Sequence, residues 1–294
     1  MAFTKGRINL VVQELIKMIV IETIPDMTYL RLNLKEPVGF VPTMGYLHEG
    51  HMSLVRKART ENKSVVVSIY VNPTQFGPKE DLSKYPRDLH RDLSMLEKEG
   101  ADVVFFPADK EMYPAGYDTW VTVDNLTKPL EGDSRPTHFR GVTTIVTKLF
   151  NIVRPTNAYF GQKDAQQALV IKKMTADLNM NLEVVVCPTI REPDGLAMSS
   201  RNVYLNPEQR KVAPLLYKSL LLAKDMFAIG ERNAAVILEQ MTVLIQKEPL
   251  AKIDYISLSD TETLAELKTI NKSALVSMAV RFGNTRLIDN VILG

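Results

Sequence analysis

The 294-residue chain contains one cysteine, Cys187, and one tryptophan. A single thiol excludes an intrachain disulfide and a cysteine metal cluster, and nothing suggests an oxidising compartment. Cys187 closes the run LEVVVCP, where a buried, inert thiol is expected. An excess of either charge is also missing, because 36 basic and 34 acidic side chains leave +2. That balance argues against a broad nucleic-acid or membrane-binding surface and leaves room for a local basic pocket. No apolar run reaches the ~20 residues needed to span a bilayer. The leading stretch MAFTKGRINLVVQELIKMIVIETI is interrupted by Gln13, Glu14 and Lys17, and no small-residue cleavage site follows it. The expectation is a cytoplasmic protein. Two nucleotide signatures are absent as well: there is no G-x-x-x-x-G-K-[ST] and no G-x-G-x-x-G, which disfavours a P-loop protein and a dinucleotide oxidoreductase. Internal repeats and low-complexity tracts are lacking.

The length allows one large domain or two ordinary ones, and 45% hydrophobic with 24% charged residues suits a core-forming globular chain. Short β-branched runs recur: VGFV (38–41), SVVVSIYV (64–71), ADVVFF (101–106), NAYF (157–160) and LEVVV (182–186). Each is apolar on consecutive positions, the pattern of strands covered on both faces in a parallel sheet. Amphipathic stretches of helical period lie between them, one marked by Leu54, Val55 and Ala58, another by Leu89, Leu93 and Leu96. Alternation at this spacing through about residue 188 predicts a doubly wound α/β sheet. Beyond PTIREPDGLAMSSRN the character changes. Residues 207–228 and 231–248 read as two helices, followed by the strand-like runs IDYISLS, ALVSMAV and RLIDNVIL. A smaller α+β domain over 189–294 is expected.

Five segments carry candidate chemistry. In VPTMGYLHEGH, His48 and His51 stand three apart, whereas the H-E-x-x-H metal signature needs i, i+4. Gly50 interrupts the motif and no third ligand lies near, so a zinc site is disfavoured. The strand–turn–helix setting suits an anion site at a helix N-terminus; a helix-capping His48 and a packed His51 are the structural alternative. YFGQKDAQQ places Lys163 and Asp164 at a strand's carboxyl end, where lysine suits phosphate and aspartate suits a sugar hydroxyl, against a solvated turn. DGLAMSSRN offers two serines and an arginine for phosphate oxygens, or an ordinary interdomain turn. YVNPTQFGPKEDLSKYPRD offers Asn72 and Gln75 as orienting amides, with 78–85 as a candidate lid. SRPTHFRG places Arg135, His138 and Arg140 before a helix, as anion contacts or solvated charge. Donors without an evident nucleophile point to catalysis by positioning a nucleotide and stabilising charge at phosphorus.

The set PTMGYLHEGH, YVNPTQFG, KYPRDL, HFRGVTTIV, FGQKDAQQ and DGLAMSSRN closely resembles the pantothenate synthetase family, the pantoate–β-alanine ligases. The resemblance runs from about Ile19 to the C-terminus. It implies a nucleotidyltransferase-type enzyme in which HEGH resembles a HIGH-type motif and MSSR a KMSKS-type motif. It further implies a Rossmann-like, nucleotide- and pantoate-binding domain over 18–188 and a C-terminal domain over 189–294 carrying the MSSR loop. Implied substrates are pantoate, β-alanine and ATP with Mg²⁺, reacting through a pantoyl adenylate to give pantothenate, AMP and pyrophosphate. The usual form is a cytoplasmic homodimer, without nucleic-acid or membrane partners.

By motif, the implied ATP site comprises Met44, Gly45, Tyr46, Leu47, His48, Glu49, Gly50 and His51, with Gly161, Gln162, Lys163, Asp164, Ile190, Met198, Ser199, Ser200 and Arg201. His51 matches the residue usually assigned as catalytic, with His48 beside it. Lys163, Ser199, Ser200 and Arg201 would hold the phosphates. Gln75 and Gln167 match substrate contacts, with Asn72 and Arg135 behind them. Asp92 matches an acidic position near magnesium, although its neighbours here are His90 and Arg91. Residues 1–17 read as an extension ahead of the family's usual start. Another adenylyltransferase, a tRNA-charging enzyme and a nucleotide-sensing module are the competing readings. The tRNA version lacks a basic anticodon-type module.

Overall fold

The computed structural model describes residues 18–78 and 80–294. The extension proposed over 1–17 lies outside the described residues. Six strands form one parallel sheet: β1 (Ile19–Ile21), β2 (Val38–Thr43), β3 (Ser64–Ile69), β4 (Val103–Phe105), β5 (Asn157–Gly161) and β6 (Glu183–Cys187). Their spatial order is β1-β4-β3-β2-β5-β6, with parallel pairing throughout. The winding reverses between β2 and β5. In open α/β sheets ligands gather at such a switch point, beyond the carboxyl ends of the strands.

Both faces of this sheet are covered, which explains the unbroken apolar runs. One face packs Phe40, Val66 and Phe105 against α1 (Ile24–Arg31), α6 (His138–Val153) and α7 (Ala165–Asp177). The other packs Val41, Val65, Val67 and Tyr159 against α2 (Glu49–Glu61) and α3 (Leu89–Lys98). In α2, Met52, Leu54, Val55 and Ala58 are buried at helical spacing; each larger side chain contributes about 1.5–3 kcal/mol by leaving water. Cys187 is buried in the same cluster.

The remainder forms an antiparallel sheet of β7 (Ala251–Ser259), β8 (Ala274–Phe282) and β9 (Thr285–Leu293), backed by α9 (Leu215–Ala228) and α10 (Ala234–Gln246). The single helix expected over 207–228 is two: α8 (Pro207–Val212) stops before Pro214, whose ring and missing N–H cannot continue a helix. Short helices α4 (Asp109–Met112) and α5 (Glu131–Ser134) lie in the connections.

Polar contacts join the second sheet to the segments that carry and follow the first. Both amide hydrogens of Asn290 on β9 are donated to the carbonyls of Gln162 (2.9 Å) and Lys163 (2.8 Å). Arg286 grips the Glu131 carboxylate with two bonds, at 2.6 and 2.8 Å, and the Tyr255 hydroxyl donates to it at 2.9 Å.

Candidate active site

The segment after β2 turns sharply before α2 begins. Gly45 has φ +80° and Tyr46 φ +49°. A Cβ at Gly45 would sit 3.0 Å from Ile69 and 3.2 Å from the Asp92 carboxylate, so glycine is required by both backbone and space. The turn is tethered from α3: Asp92, 1% exposed, accepts the N–H of Tyr46 at 2.7 Å and of Leu47 at 2.8 Å. Burial pushes the Asp92 carboxyl pKa up, and the two N–H donors pull it back.

His48 and His51 then cap α2 reciprocally. His48 Nδ1 accepts the Gly50 N–H at 3.2 Å, and His51 Nδ1 accepts the His48 N–H at 3.3 Å. Capping through Nδ1 is therefore compatible with an anion site at the same helix start. With Nδ1 an acceptor, each neutral ring carries its proton on Nε2, the atom left free to donate. The rings stand 4.1 Å apart. Burial, reinforced by the Lys163 charge, lowers His48 to about 4. Burial, His48 and Lys163 hold His51 well below the usual histidine range. At neutral pH the pair is two uncharged donors.

Lys163 follows β5, across the switch point, in a short 3₁₀ turn over Gln162–Asp164. β2 pairs in parallel with β5, which sets the two strand ends side by side, and the Lys163 charge helps to lower both imidazole pKa values. Gln162 donates to Asn290 at 3.0 Å, which fixes the turn after Gly161 from β9. Lys163, Asp164, Gln167 and Arg135 line a cavity of about 50 Å³ closed by Asp289 and Asn290 of β9. The glutamine pair is divided in use: buried Gln166 donates to the carbonyls of Leu126 and Pro129 and accepts the Glu131 N–H, leaving Gln167 to the cavity.

Gln75 lies in a 3₁₀ turn over Pro73–Gln75 and donates to Met44 Sδ at 2.8 Å. Asn72 donates to Gln75 Oε1 and to the Gly141 carbonyl, both at 3.1 Å. His138 Nδ1 contacts the Gln75 carbonyl at 2.9 Å, and burial beside Arg135 lowers its pKa to about 4.

The Met198–Arg201 loop begins with the Met198 N–H donating to the Ile190 carbonyl at 3.0 Å. Ser199 caps a 3₁₀ helix over Ser200–Tyr204 by accepting the Arg201 N–H at 3.2 Å. The segment 80–85 is fastened over it. Arg201 donates twice to Asp81, at 3.1 and 3.0 Å, and Tyr85 shares a 2.9 Å hydrogen bond with Ser200. Arg135 is held in the same way by Glu80, at 2.6 and 2.7 Å. Sequence reasoning named 78–85 as a lid without Glu80, Asp81 or Tyr85 as its clasps. KEDLSKYP reads locally as an ordinary polar loop.

The resemblance places Asp92 near magnesium, but both its oxygens are engaged by backbone N–H groups. Among the described residues no group of three or more His, Cys, Asp or Glu side chains could hold a metal ion. The described side chains therefore form no cluster that would cage magnesium by themselves. Mg²⁺ often keeps several waters and binds through substrate phosphates with one or two carboxylates.

Fold and site together define a doubly wound α/β protein with a donor-lined cleft at its topological switch point. A family model described as pantoate-beta-alanine ligase matches residues 19–292, and the chain belongs to that family. It is 58% identical over 274 residues to a pantothenate synthetase of Roseiflexus sp. (strain RS-1), covering 93% of this chain and 99% of that one. A pantothenate synthetase of Acetivibrio thermocellus is 58% identical over 277 residues, with the same coverages. The crystal structure of pantothenate synthetase from Thermus thermophilus superposes with TM-score 0.90 at 48% identity, covering 93% of this chain and 99% of that one. Pantoate-beta-alanine ligase from Francisella tularensis, complexed with beta-gamma ATP and beta-alanine, gives TM-score 0.78 at 37% identity over 94% of this chain and 97% of that one. The chain is thus a pantoate–β-alanine ligase.

Proposed function

We propose that the ligation proceeds through a pantoyl adenylate, with the nucleotide lying across the switch point between β2 and β5. The convergence of the two neutral histidine donors with Lys163 carries this reading. Pantoate is ionised at neutral pH and needs no general base. One carboxylate oxygen bonds to the α-phosphorus of ATP, and the bond to the pyrophosphate oxygen breaks. Charge grows on the phosphate oxygens, where preorganised donors act most strongly. His48 and His51 donate from Nε2; Lys163, Ser199, Ser200 and Arg201 hold the departing pyrophosphate. Mg²⁺, when bound with ATP, offsets repulsion between the two anions.

In the second step the β-alanine amine forms a C–N bond to the acyl carbon. The C–O bond to AMP breaks and the amine loses a proton. Gln75, Gln167, Asn72 and Arg135 orient the acyl group in this reading. Glu80 and Asp81 occupy the two arginines until substrate anions replace them, and the strap over 80–85 then keeps water from the adenylate. We assign 18–188 to the nucleotide- and pantoate-binding domain and 189–294 to the smaller one. We place the enzyme in the cytoplasm as a homodimer with small-molecule partners alone. Among the described residues no helix is long and apolar enough to cross a membrane.

The test is exchange of labelled pyrophosphate into ATP. Exchange that needs pantoate but no β-alanine supports the adenylate. His51→Ala and Lys163→Ala each cut it by about a hundredfold, the range for losing one oxyanion donor. Exchange without pantoate, or unchanged exchange in either variant, refutes the assignment.

A further inference from the structure

The two sides of the proposed phosphate clamp hang from different parts of the fold. The Lys163 turn follows β5 in the first sheet, and the Met198–Arg201 loop precedes the second. Stabilising charge at phosphorus needs both at one fixed spacing. β9 packs against the Lys163 turn and against the 3₁₀ helix over Ser200–Tyr204. Two adjacent residues on it, Asp289 and Asn290, reach toward the two sides.

Successive strand side chains point to opposite faces. Asn290 turns to the first sheet, where its amide frames the Lys163 turn. Asp289 turns the other way, with Leu287, Val291 and Leu293, into the core beneath α9. There Arg191 grips its carboxylate with two bonds, at 2.6 and 2.9 Å. The Asp289 side chain is 1% exposed. It also accepts the Asn290 N–H at 2.8 Å, which ties the two neighbours to each other. Burial pushes the Asp289 carboxyl pKa up, and Arg191, ahead of Lys163, pulls it back.

Arg191 stands at the base of a hairpin. It pairs with Ala197, the Glu192 N–H donates to the Leu196 carbonyl at 2.8 Å, and the exit is the Met198–Arg201 loop. The guanidinium lies over the Tyr217 ring of α9 at 3.8 Å and donates to the Gly195 carbonyl at 3.1 Å. Asn202 fastens the following 3₁₀ helix to the same hairpin, donating to Glu192 at 2.7 Å and to the Ala197 carbonyl at 3.2 Å. An unbroken chain of contacts thus runs from that helix through the hairpin, Arg191, Asp289 and Asn290 to Lys163. A buried ion pair gains little stability over apolar side chains of the same size. What a bidentate arginine adds is a single fixed geometry.

We propose that Arg191 is a positioning residue: by gripping Asp289 it sets the spacing between the Met198–Arg201 loop and Lys163, so that the two sides of the clamp move as one body. The inference rests on the phosphate roles given to those two segments. Its test uses the full chain and Arg191→Lys, which keeps the charge but cannot hold both oxygens in a planar fork. The maximal rate of pantoate-dependent pyrophosphate exchange falls about tenfold, as for a small displacement of the clamp, while KM for pantoate stays within about twofold. Should that variant fail to fold, Arg191→Met combined with Asp289→Leu removes both charges without leaving either buried alone, and shows the same split. An unchanged rate in the folded variant overturns the proposal. So does a KM that rises in step with the falling rate, which would mark a merely structural role. Backbone hydrogen exchange of the ligand-free protein gives a second measurement, independent of turnover. Faster exchange in the variant at both 161–165 and 198–204 supports the coupling; faster exchange at one of them only, or at neither, overturns it. Absence of pyrophosphate exchange in the parent protein sinks the adenylate alone, and hydrogen exchange still decides the coupling.

Discussion

Replacing Asp92 by asparagine probes how the histidine pair is held. The carboxylate accepts two backbone N–H groups, at 2.7 and 2.8 Å, and is 1% exposed. An amide has one acceptor oxygen. Whichever way it turns, its NH₂ faces one of the two N–H donors. One buried donor is then unsatisfied, at a cost of about 1–3 kcal/mol. The surviving bond changes from charged to neutral and loses roughly 1 kcal/mol. Relief of charge burial offsets part of this, since Asp92's pKa is raised by desolvation. A net loss of about 2 kcal/mol follows from these opposing effects. The turn it releases holds Tyr46 at φ +49°, a conformation that costs on the order of 1–3 kcal/mol and persists only under constraint. Relaxation shifts the cap and both imidazoles, and a displacement of about 1 Å can cost a hundredfold in rate. Urea unfolding at pH 7 should show a lower midpoint with unchanged slope, and pyrophosphate exchange should fall by about tenfold or more. Stability within about 0.5 kcal/mol of the parent would refute the tether. Unchanged stability with exchange restored by added magnesium would return Asp92 to the metal.

Three further outcomes follow from the geometry. In Gly141→Ala the new carbon would lie 2.4 Å from the Thr74 carbonyl and 2.6 Å from the Gln75 N–H. Overpacking should cost about 1–3 kcal/mol and raise KM for pantoate; unchanged values in both would show that the turn bearing Gln75 yields freely. The buried histidines set an acid limit. His48 and His138 have folded pKa values near 4, below the unfolded value. The unfolded chain therefore binds protons first, and stability falls as pH drops from about 6.5 to 4. Melting temperature against pH should show that slope, and His138→Gln should flatten it. Asp81→Asn removes the charged partner of Arg201. Limited proteolysis of the ligand-free protein should cut within 77–85 faster than in the parent, and equal rates would count against the clasp.

The parallel sheet was legible because β2, β3 and β5 are buried on both faces and so are apolar at consecutive positions. The edge strand β1 was not, because its three residues merge into the apolar stretch before them. The start of α1 did carry a local signal: Thr23 accepts the Asp26 N–H at 3.2 Å, with a proline in the first turn. At the site, the motifs marked HEGH, the Lys163 turn and MSSR, but the alternatives for His48 and His51 needed atoms to reconcile. Both histidines cap through Nδ1, and capping is what frees Nε2. Asp92 tethers Tyr46 from 46 residues away and leaves no local pattern. Gln166 and Gln167 are indistinguishable in sequence and are divided only by which face of α7 meets the Leu126–Glu131 loop.

Asn290 and Glu131 have a consequence for how the molecule comes apart. The Lys163 turn is framed by an amide near the chain's far end, and Arg286 reaches back to Glu131 across 155 positions. Losing β9 would strand two carbonyls beside the lysine and leave a part-buried carboxylate without its cation. A fragment ending before β7 would therefore present the first sheet without an ordered Lys163 turn. Heating should melt both sheets in one cooperative transition, with activity and structure vanishing together.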